Sequence, residues 1–347
     1  MTSTRSVLHV LPHPGGGGAT YVDALEEMDG YRFERAYLAP SAKPVGSRAS
    51  IVRKSAEVHR LARAHDVVHV HGEVASTLCL PTLARRPSVV TLHGLHLLRR
   101  LNGARKAGAG ISLRLIVRSA SKTICVSRAE YDEVVEIDQR TAERLVVIHN
   151  GVEMLPPPTS EQRAAARAEL EIDGDRIVAV SVGSLEEHKD PLALVTAARQ
   201  VAQGGDALTL LLAGDGPLRP ELERLGRDEP DAVRVLGFRA DVVTLLAAAD
   251  FFVLSSLREG LSFSLLEAMS LGLPVIVSDA PGNVEVVADD GIVVGFGDIA
   301  GFAAAFRRLM NQAQRIELGE RARQRVREHF TAADMVKRTR DVYDRIS

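Results

Sequence analysis

Residues 258–279, with the sequence REGLSFSLLEAMSLGLPVIVSD, contain a loop, an apolar helix and a strand in close succession. Gly272 ends the predicted helix, and residues 275–277 have the apolar composition of a buried strand. Glu259 lies in the loop, and Glu267 follows eight positions later in the first turns of the helix. The backbone N–H groups at a helix N-terminus attract phosphate, while carboxylates accept hydrogen bonds from sugar hydroxyls. The segment therefore favours a site for a phosphorylated sugar.

A purely structural interpretation of the same residues remains open. Ser264 and Glu267 have the spacing of a capping box, in which Glu267 would only stabilise its own helix. Glu259 could equally be a solvated loop acid. The spacing alone does not choose between the two interpretations.

The composition bounds the class of protein. The chain has 347 residues, which suggests two domains, and 46% hydrophobic residues, which is enough to form real cores. A net charge of −2 gives no general reason to expect binding of nucleic acid. Cys79 and Cys125 lie in apolar segments and are expected to be buried thiols of a reducing compartment. We expect no signal peptide, no membrane-spanning helix and no cofactor.

Short apolar segments alternate with helical segments along most of the chain, which is typical of doubly wound α/β domains with parallel sheets. Three prolines at 156–158 mark a linker, so we expect domains at 1–153 and 154–330, with a final helix at 331–347. The predicted strands are residues 6–11, 66–71, 88–92, 122–127, 145–148, 176–182, 208–213, 233–236, 275–278 and 291–294.

A run of glycines, Gly15 to Gly18, follows the first predicted strand, and a helix is expected to start near Ala19. A loop without side chains lets backbone N–H groups approach a phosphate or a sugar closely. The run does not have the GxGxxG spacing of a dinucleotide site, and no acid follows at the spacing that a ribose would need.

Several histidines lie on or after predicted strands. His93 follows the strand at 88–92, and functional groups collect at the carboxyl ends of parallel strands. His69, His71 and His96 are expected to be structural. His69 and His71 share one strand face, but no third metal ligand of suitable spacing is visible.

The Asp-x-Asp at 173–175 precedes a strand and is expected to form a turn. We therefore predict no metal site.

The region 85–128 is locally basic, since the window 74–129 contains no Asp or Glu. Leucines at 95, 97, 98 and 101 lie beside Arg99 and Arg100 within it. This mixture suits a surface that meets anionic lipid headgroups or a phosphorylated acceptor, although a solvated helix face has the same composition. The cations are Arg85, Arg86, Arg99, Arg100, Arg105, Lys106, Arg114, Arg118, Lys122 and Arg128.

The 258–279 segment resembles the nucleotide-sugar signature of the family 4 glycosyltransferases: an acid, seven residues, a second acid, then Ala-Met and a Gly-x-Pro-Val turn. The resemblance extends to Gly17-Gly18, to His93-Gly94 and to residues 149–152. It also includes Lys189, but Ser184 stands where the family has an arginine.

This resemblance implies a GT-B fold, in which two Rossmann-like domains face each other across a cleft. The first would bind the acceptor and the second a nucleotide-diphosphate sugar, and the final helix would pack back on the first domain. Transfer would retain the anomeric configuration and need no metal. The acceptor would be a glycan, a lipid-linked molecule or a small molecule, and the protein would be cytoplasmic or bound to the cytoplasmic face of a membrane.

The resemblance also implies roles for individual residues. Glu259 would bind the sugar hydroxyls, Glu267 the donor ribose, and Lys189 the leaving diphosphate. His93 would orient the sugar or contact its developing positive charge. Further donor contacts would come from Gly17, Gly18, Ser184, Gly237, Arg239, Gly260, Leu261, Ser262, Phe263 and Ser264, with Gly237 and Arg239 near the nucleobase. Arg239 or Arg258 would substitute for the missing arginine.

Two other functions stay open on the sequence alone. One is a sugar-nucleotide epimerase. The other is a non-catalytic protein of the same fold that binds sugar nucleotides or glycans.

Overall fold

The computed structural model describes residues 4–39, 48–95, 98–99 and 101–346. The chain divides into two compact units: unit 1 is Met1–Gly151 with Ala332–Ser347, and unit 2 is Val152–Thr331. Each unit is an α/β domain, so the predicted fold class is confirmed.

Within its described residues, unit 1 contains a parallel six-stranded sheet in the order β2-β1-β3-β4-β5-β6. Two central strands, Val67–His71 and Ser88–Thr91, are buried at every residue, their histidine, serine and threonine residues included. The strands are β1 (Arg5–Leu11), β2 (Tyr31–Tyr37), β3 (Val67–His71), β4 (Ser88–Thr91), β5 (Lys122–Cys125) and β6 (Leu145–Val147).

Helices connect these strands and cover the sheet. The first of them begins at Gly17, two residues before the expected start, and Gly16 precedes it with a positive φ of 77°. The helices are α1 (Gly17–Leu25), α2 (Arg48–Leu61), α3 (Glu73–Leu78), α4 (Leu80–Leu83), α5 (Gly103–Ser119) and α6 (Arg128–Ile137).

Unit 2 repeats this architecture, with a parallel six-stranded sheet in the order β12-β11-β10-β7-β8-β9. Its strands are β7 (Ile177–Val182), β8 (Leu208–Ala213), β9 (Val233–Gly237), β10 (Phe251–Leu254), β11 (Val275–Ser278) and β12 (Ile292–Val294). Its helices are α7 (Ser160–Glu169), α8 (Pro191–Gln203), α9 (Arg219–Asp228), α10 (Val242–Ala248), α11 (Phe263–Ser270), α12 (Pro281–Val287), α13 (Ile299–Arg308) and α14 (Gln312–His329).

The direction of winding reverses once in each sheet. In unit 1 the reversal lies between β1 and β3, and in unit 2 between β7 and β10. In open α/β sheets, ligands bind outside the carboxyl ends of the strands at such a switch point. The strand orders therefore direct attention to the loops after β1, β7 and β10.

The last helix, α15 (Ala332–Ile346), belongs to unit 1. Tyr343 on this helix is fully buried, and its hydroxyl lies 2.6 Å from Nδ1 of His69 on β3. A second, exposed hydrogen bond joins this helix to β2, where the hydroxyl of Tyr31 donates to Asp344 at 2.7 Å. The helix is thus fixed to the sheet by one buried and one exposed hydrogen bond of tyrosine.

We expect Tyr343→Phe to lower the free energy of unfolding by about 1–3 kcal/mol, because it leaves Nδ1 of His69 buried without this partner. Urea denaturation followed by circular dichroism measures the change. Tyr31→Phe is the matched control and is expected to change stability by less than about 0.5 kcal/mol. Equal effects of the two substitutions would contradict this account of the buried bond.

In the part of the chain that the structure describes, every helix is too short or too polar to cross a bilayer.

Candidate active site

Two of the predicted catalytic residues meet at the switch point of unit 2. Lys189 lies in a short 3-10 helix (Glu187–Lys189) after β7, and Glu259 lies in the loop after β10. Lys189 Nζ donates a hydrogen bond to Glu259 Oε1. Ser256 Oγ donates to the same oxygen at 2.6 Å. The solvated-acid interpretation of Glu259 is therefore wrong, since the residue is 6% exposed and forms an ion pair.

Hydrogen bonds to backbone carbonyl groups hold the loop after β7 and the loop after β10 together. Ser255 Oγ donates to the carbonyl oxygens of Lys189 and Asp190 at 2.7 and 2.9 Å. The N–H of Leu257 donates to the carbonyl of His188 at 2.8 Å. These bonds fix the backbone on both sides of the ion pair, so the cation and the carboxylate are held in place before any ligand binds.

A pocket opens beside Lys189 at the same edge of the sheet. Ser184 lines it together with Lys189, so the structure brings these two predicted donor-binding residues together. The remaining lining residues are Ser181, Gly183, Leu185, Pro191, Leu212, Ala213, Leu254 and Ser255.

The helix α11 carries the second acid. Ser262 caps it by accepting a hydrogen bond from the N–H of Leu265 at 3.4 Å. The capping-box interpretation of Ser264 and Glu267 is therefore wrong, because the cap is Ser262, two residues earlier. Ser264 Oγ instead donates to the carbonyl of Val182 at the end of β7, at 3.0 Å. This bond places the start of α11 beside the pocket.

Glu267 is free for another role, since it does not cap the helix. Burial raises the pKa of its carboxyl group to about 7. A half-buried carboxylate that has lost water is well suited to accept hydrogen bonds from a pair of ligand hydroxyls.

The loop Gly260–Phe263 packs against α12 at Gly282. A Cβ at Gly282 would overlap the carbonyl oxygens of Gly260 and Glu259. The absence of a side chain at this position thus determines how closely the loop sits on α12.

We expect Gly282→Ala to lower kcat/KM at least about tenfold, because the loop must move and a displacement of about 1 Å can cost 100-fold. Overpacking of this kind also costs about 1–3 kcal/mol of stability. Gly174→Ala is the control, since a Cβ there meets nothing within 4 Å. Steady-state kinetics on folded protein measure the effect, and unchanged kcat/KM would show that the loop position is not critical.

The residues predicted near a nucleobase lie at the end of β9, an edge strand. Gly237 adopts a φ of 69°, and its carbonyl accepts the N–H of Gly214 at 2.7 Å. Arg239 donates to both carboxylate oxygens of Asp241, at 2.8 and 2.5 Å, and to Glu169 at 3.2 Å. These partners orient Arg239 toward α7 and α10. Arg258, the other proposed substitute for an arginine at position 184, is half-buried next to Glu259.

In unit 1 the structure brings His93 close to the glycine loop. A Cβ at Gly18 would lie 3.9 Å from Nε2 of His93, and Gly17 begins α1 beside it. His93 has a φ of 60°, which is rare outside glycine. The predicted glycine pair and the predicted histidine thus share one place at the carboxyl ends of β1 and β4.

Glu130, which the sequence analysis did not single out, holds the backbone after His93. Its carboxylate accepts the N–H of Gly94 at 2.5 Å and the N–H of Val126 at 2.7 Å. Burial raises its pKa to about 7. The only hint in the sequence is that Glu130 is the first acid after the long basic window.

His69 and His71, for which the sequence predicts a structural role, lie in a cluster with a third histidine. His9 on β1 packs against both, and the three could hold a metal ion by distance alone. Yet five of their six ring nitrogens already have hydrogen-bond partners. We therefore interpret the group as a hydrogen-bonded cluster. His96 lies outside the described residues, as do Leu97 and Arg100.

Two family models match the chain: "Glycosyltransferase Family 4" at residues 8–154 and "Glycosyl transferases group 1" at residues 176–312. The matches fall on unit 1 and unit 2, respectively. The chain belongs to the family 4 glycosyltransferases.

Curated relatives carry related activities. An Escherichia coli UDP-Gal:alpha-D-GlcNAc-diphosphoundecaprenol alpha-1,3-galactosyltransferase is 28% identical, over 80% of this chain and 75% of its own. The alpha-maltose-1-phosphate synthase of Mycolicibacterium smegmatis is 28% identical, over 90% of this chain and 88% of its own.

Solved structures of this glycosyltransferase fold match nearly the whole chain. Anabaena HepE in complex with UDP-glucose has a TM-score of 0.81 at 21% identity and covers 98% of this chain and 100% of its own. A sucrose-phosphate synthase from Thermosynechococcus elongatus has a TM-score of 0.80 at 19% identity, with 99% of each chain covered. The predicted GT-B class is confirmed.

Proposed function

We propose that this glycosyltransferase moves a hexose from a UDP-sugar to an acceptor hydroxyl, with retention of the anomeric configuration and without a metal ion. The observation that carries the proposal is the Lys189–Glu259 pair at the switch point of unit 2. It places a cation for a diphosphate next to an acid for sugar hydroxyls. The UDP donors named for the E. coli relative and for HepE support the choice of nucleotide.

In this mechanism no side chain of the enzyme forms a covalent bond to the sugar. Glu259 accepts hydrogen bonds from the sugar hydroxyls, and Lys189 neutralises the negative charge that develops on the leaving diphosphate. Glu267 accepts hydrogen bonds from the ribose. The backbone of residues 260–263 fixes the sugar, and His93 orients it. Much of the rate comes from holding donor and acceptor in alignment.

A panel of nucleotide sugars tests the donor. We expect UDP-hexoses to raise the melting temperature and to be hydrolysed slowly without an acceptor. A larger shift with GDP- or ADP-sugars would overturn the choice of nucleotide, and binding of all donors without hydrolysis or transfer would favour a non-catalytic protein.

Chelation tests the metal-free mechanism. We expect transfer to continue unchanged in EDTA, because Lys189 supplies positive charge at the diphosphate. Activity that is abolished by EDTA and restored by Mg²⁺ would contradict this part of the proposal.

Donor affinity should depend on pH through Glu267. The carboxylate form accepts the ribose hydrogen bonds and has a raised pKa of about 7, so binding weakens as the pH falls below that value. We expect the Kd for UDP to rise about tenfold from about pH 8 to pH 6. Calorimetric titrations with UDP measure the change.

Glu267→Gln is the control for this titration, because the second ionisation of the nucleotide phosphate also occurs near pH 6. The variant should bind UDP more weakly at pH 8 and lose most of the pH dependence. An identical pH profile in both proteins would show that Glu267 does not contact the ligand.

We also propose that α5 docks the enzyme on an anionic membrane, where a lipid-linked acceptor would be found. Ile111 and Leu115 lie one turn apart on this helix and are 55% and 48% exposed. Arg114 and Arg118 are exposed on the same helix, each three positions after one of these apolar residues. Apolar side chains flanked by cations bind the interface of anionic bilayers.

Sedimentation with vesicles tests the docking. The protein should sediment with vesicles that contain phosphatidylglycerol and should stay in the supernatant with purely zwitterionic vesicles. Ile111→Ser with Leu115→Ser should abolish this sedimentation, and Ile316→Ser, at an exposed position on α14 in unit 2, is the control. Equal sedimentation with both kinds of vesicle would reject the membrane surface.

A further inference from the structure

Three histidines form a continuous chain of hydrogen bonds from β1 to the loop after β4. Nε2 of His93 lies 3.0 Å from Nδ1 of His71, and Nε2 of His71 lies 2.9 Å from Nδ1 of His9. The rings of His71 and His93 are stacked, with centroids 5.3 Å apart. His9 and His71 are buried. The proton arrangement of each ring therefore constrains the next.

Burial keeps the inner rings neutral. It lowers the pKa of His9 to about 3 and the pKa of His71 well below its usual value. A neutral imidazole has one N–H donor and one lone pair. Only two arrangements then satisfy both hydrogen bonds: either every ring donates toward His9, or every ring donates toward His93.

The two arrangements differ at His9, which is the inner end of the chain of hydrogen bonds. Nε2 of His9 is buried and has no hydrogen-bond partner among the described residues. If the rings donate toward His9, this nitrogen carries a buried N–H without an acceptor. If they donate toward His93, it carries only an unused lone pair. Orphaned buried N–H groups are rarer than unused acceptors, so the second arrangement is favoured.

His69 takes no part in these hydrogen bonds between histidines, although its ring stacks on His71 with centroids 4.2 Å apart. Its two nitrogens are bonded to Tyr343 and Thr91 at 2.6 and 2.7 Å. It therefore lies beside the chain without being a member of it.

We propose that His71 and His9 are positioning residues that fix His93 as a neutral imidazole with its proton on Nδ1. Nε2 of His93 is then occupied as an acceptor from His71. Any hydrogen bond that His93 donates to a ligand oxygen then comes from Nδ1.

For the sugar transfer proposed above, on which this step rests, His93 orients a sugar oxygen. It does not offer a lone pair to the carbon that becomes positively charged. Of the two roles that the family resemblance implies for His93, the hydrogen-bond chain selects the first.

The test is nitrogen NMR of full-length protein labelled with ¹⁵N-histidine. The signals of His93 are assigned by their loss in His93→Gln. We expect a pyrrole-type shift for Nδ1 and a pyridine-type shift for Nε2 in the unmodified protein. The opposite pattern, or a mixture of the two tautomers, would overturn the proposal.

Two changes away from His93 sharpen the test. His9→Asp puts a carboxylate acceptor near the position of Nδ1, so it should reverse the chain and move the proton of His93 to Nε2. His71→Asn keeps a donor near the position of Nδ1 and should preserve the tautomer of His93. His71→Leu removes this donor, so the tautomer of His93 should no longer be fixed. If His9→Asp does not fold, the Asn and Leu pair decides. An unchanged His93 signal in His71→Leu would overturn the proposal.

Transfer kinetics separate this inference from the proposed function. We expect His71→Leu to lower kcat at least about tenfold with little change in KM, and His71→Asn to restore most of it, because a wrong histidine tautomer can cost orders of magnitude. If the tautomer shifts and kcat does not, the hydrogen-bond chain stands and the role of His93 in transfer is wrong.

Discussion

Glu259→Ala is expected to lower kcat at least about 100-fold. The substitution removes the acid proposed to position the sugar, and a loss of positioning on this scale has that cost. It also leaves Lys189 and Ser256 without the oxygen to which both donate. Steady-state transfer assays with UDP-glucose, or with whichever donor the panel identifies, measure the effect.

Glu259→Gln refines this prediction. The amide oxygen keeps an acceptor for Ser256 but removes the negative charge beside Lys189. We expect an intermediate loss of kcat, with thermal unfolding close to that of the unmodified protein. Glu317→Ala, at an exposed acid of unit 2, is the control and should be fully active. Near-normal transfer by Glu259→Ala would reject the role of this acid.

Lys189→Met is expected to lower kcat by about 10²–10³-fold, as does the loss of one donor that stabilises charge in a transition state. Methionine keeps most of the aliphatic length while removing the cation. Because Ser184 stands where the family has an arginine, we expect Lys189 to carry a larger share of the diphosphate charge than the family pattern implies. The Kd for UDP should therefore rise together with the fall in kcat.

A double variant tests whether Lys189 and Glu259 act as a pair. Groups that act as a unit have strongly non-additive effects, so Lys189→Met with Glu259→Gln should be little worse than the more damaging single change. Lys337→Met, at an exposed lysine of α15, is the control. Fully additive losses would show that the two side chains contribute independently.

The alternation of strands and helices could be predicted closely because strands of a parallel sheet are buried on both faces. The predicted strand at 208–213 coincides with β8, and the one at 275–278 with β11. Two strands are absent from the predicted set, namely the central strand β10 and the edge strand β2. The sequence of β2, YRFERAY, alternates polar and apolar residues, and this strand is only partly buried and pairs with β1 alone.

The cap of α11 shows a different limit. Both Ser262 and Ser264 are good N-cap residues, and Ser264 also has an acid at the capping-box spacing. The choice depends on Val182, a residue more than 80 positions earlier, whose carbonyl takes the hydroxyl of Ser264. A local pattern contains no information about such a partner.

The sequence by itself determined the two α/β domains, the family resemblance, and the acids, lysine and histidine that it singles out. Those conclusions depend on residue types and short spacings, which local patterns record. Only the tertiary structure decided that Lys189 and Glu259, 70 residues apart, form one pair, and that His9 joins His71 behind His93. Strand order brings these residues together, because neighbours in a parallel sheet are separated along the chain by crossover connections whose arrangement local patterns do not encode.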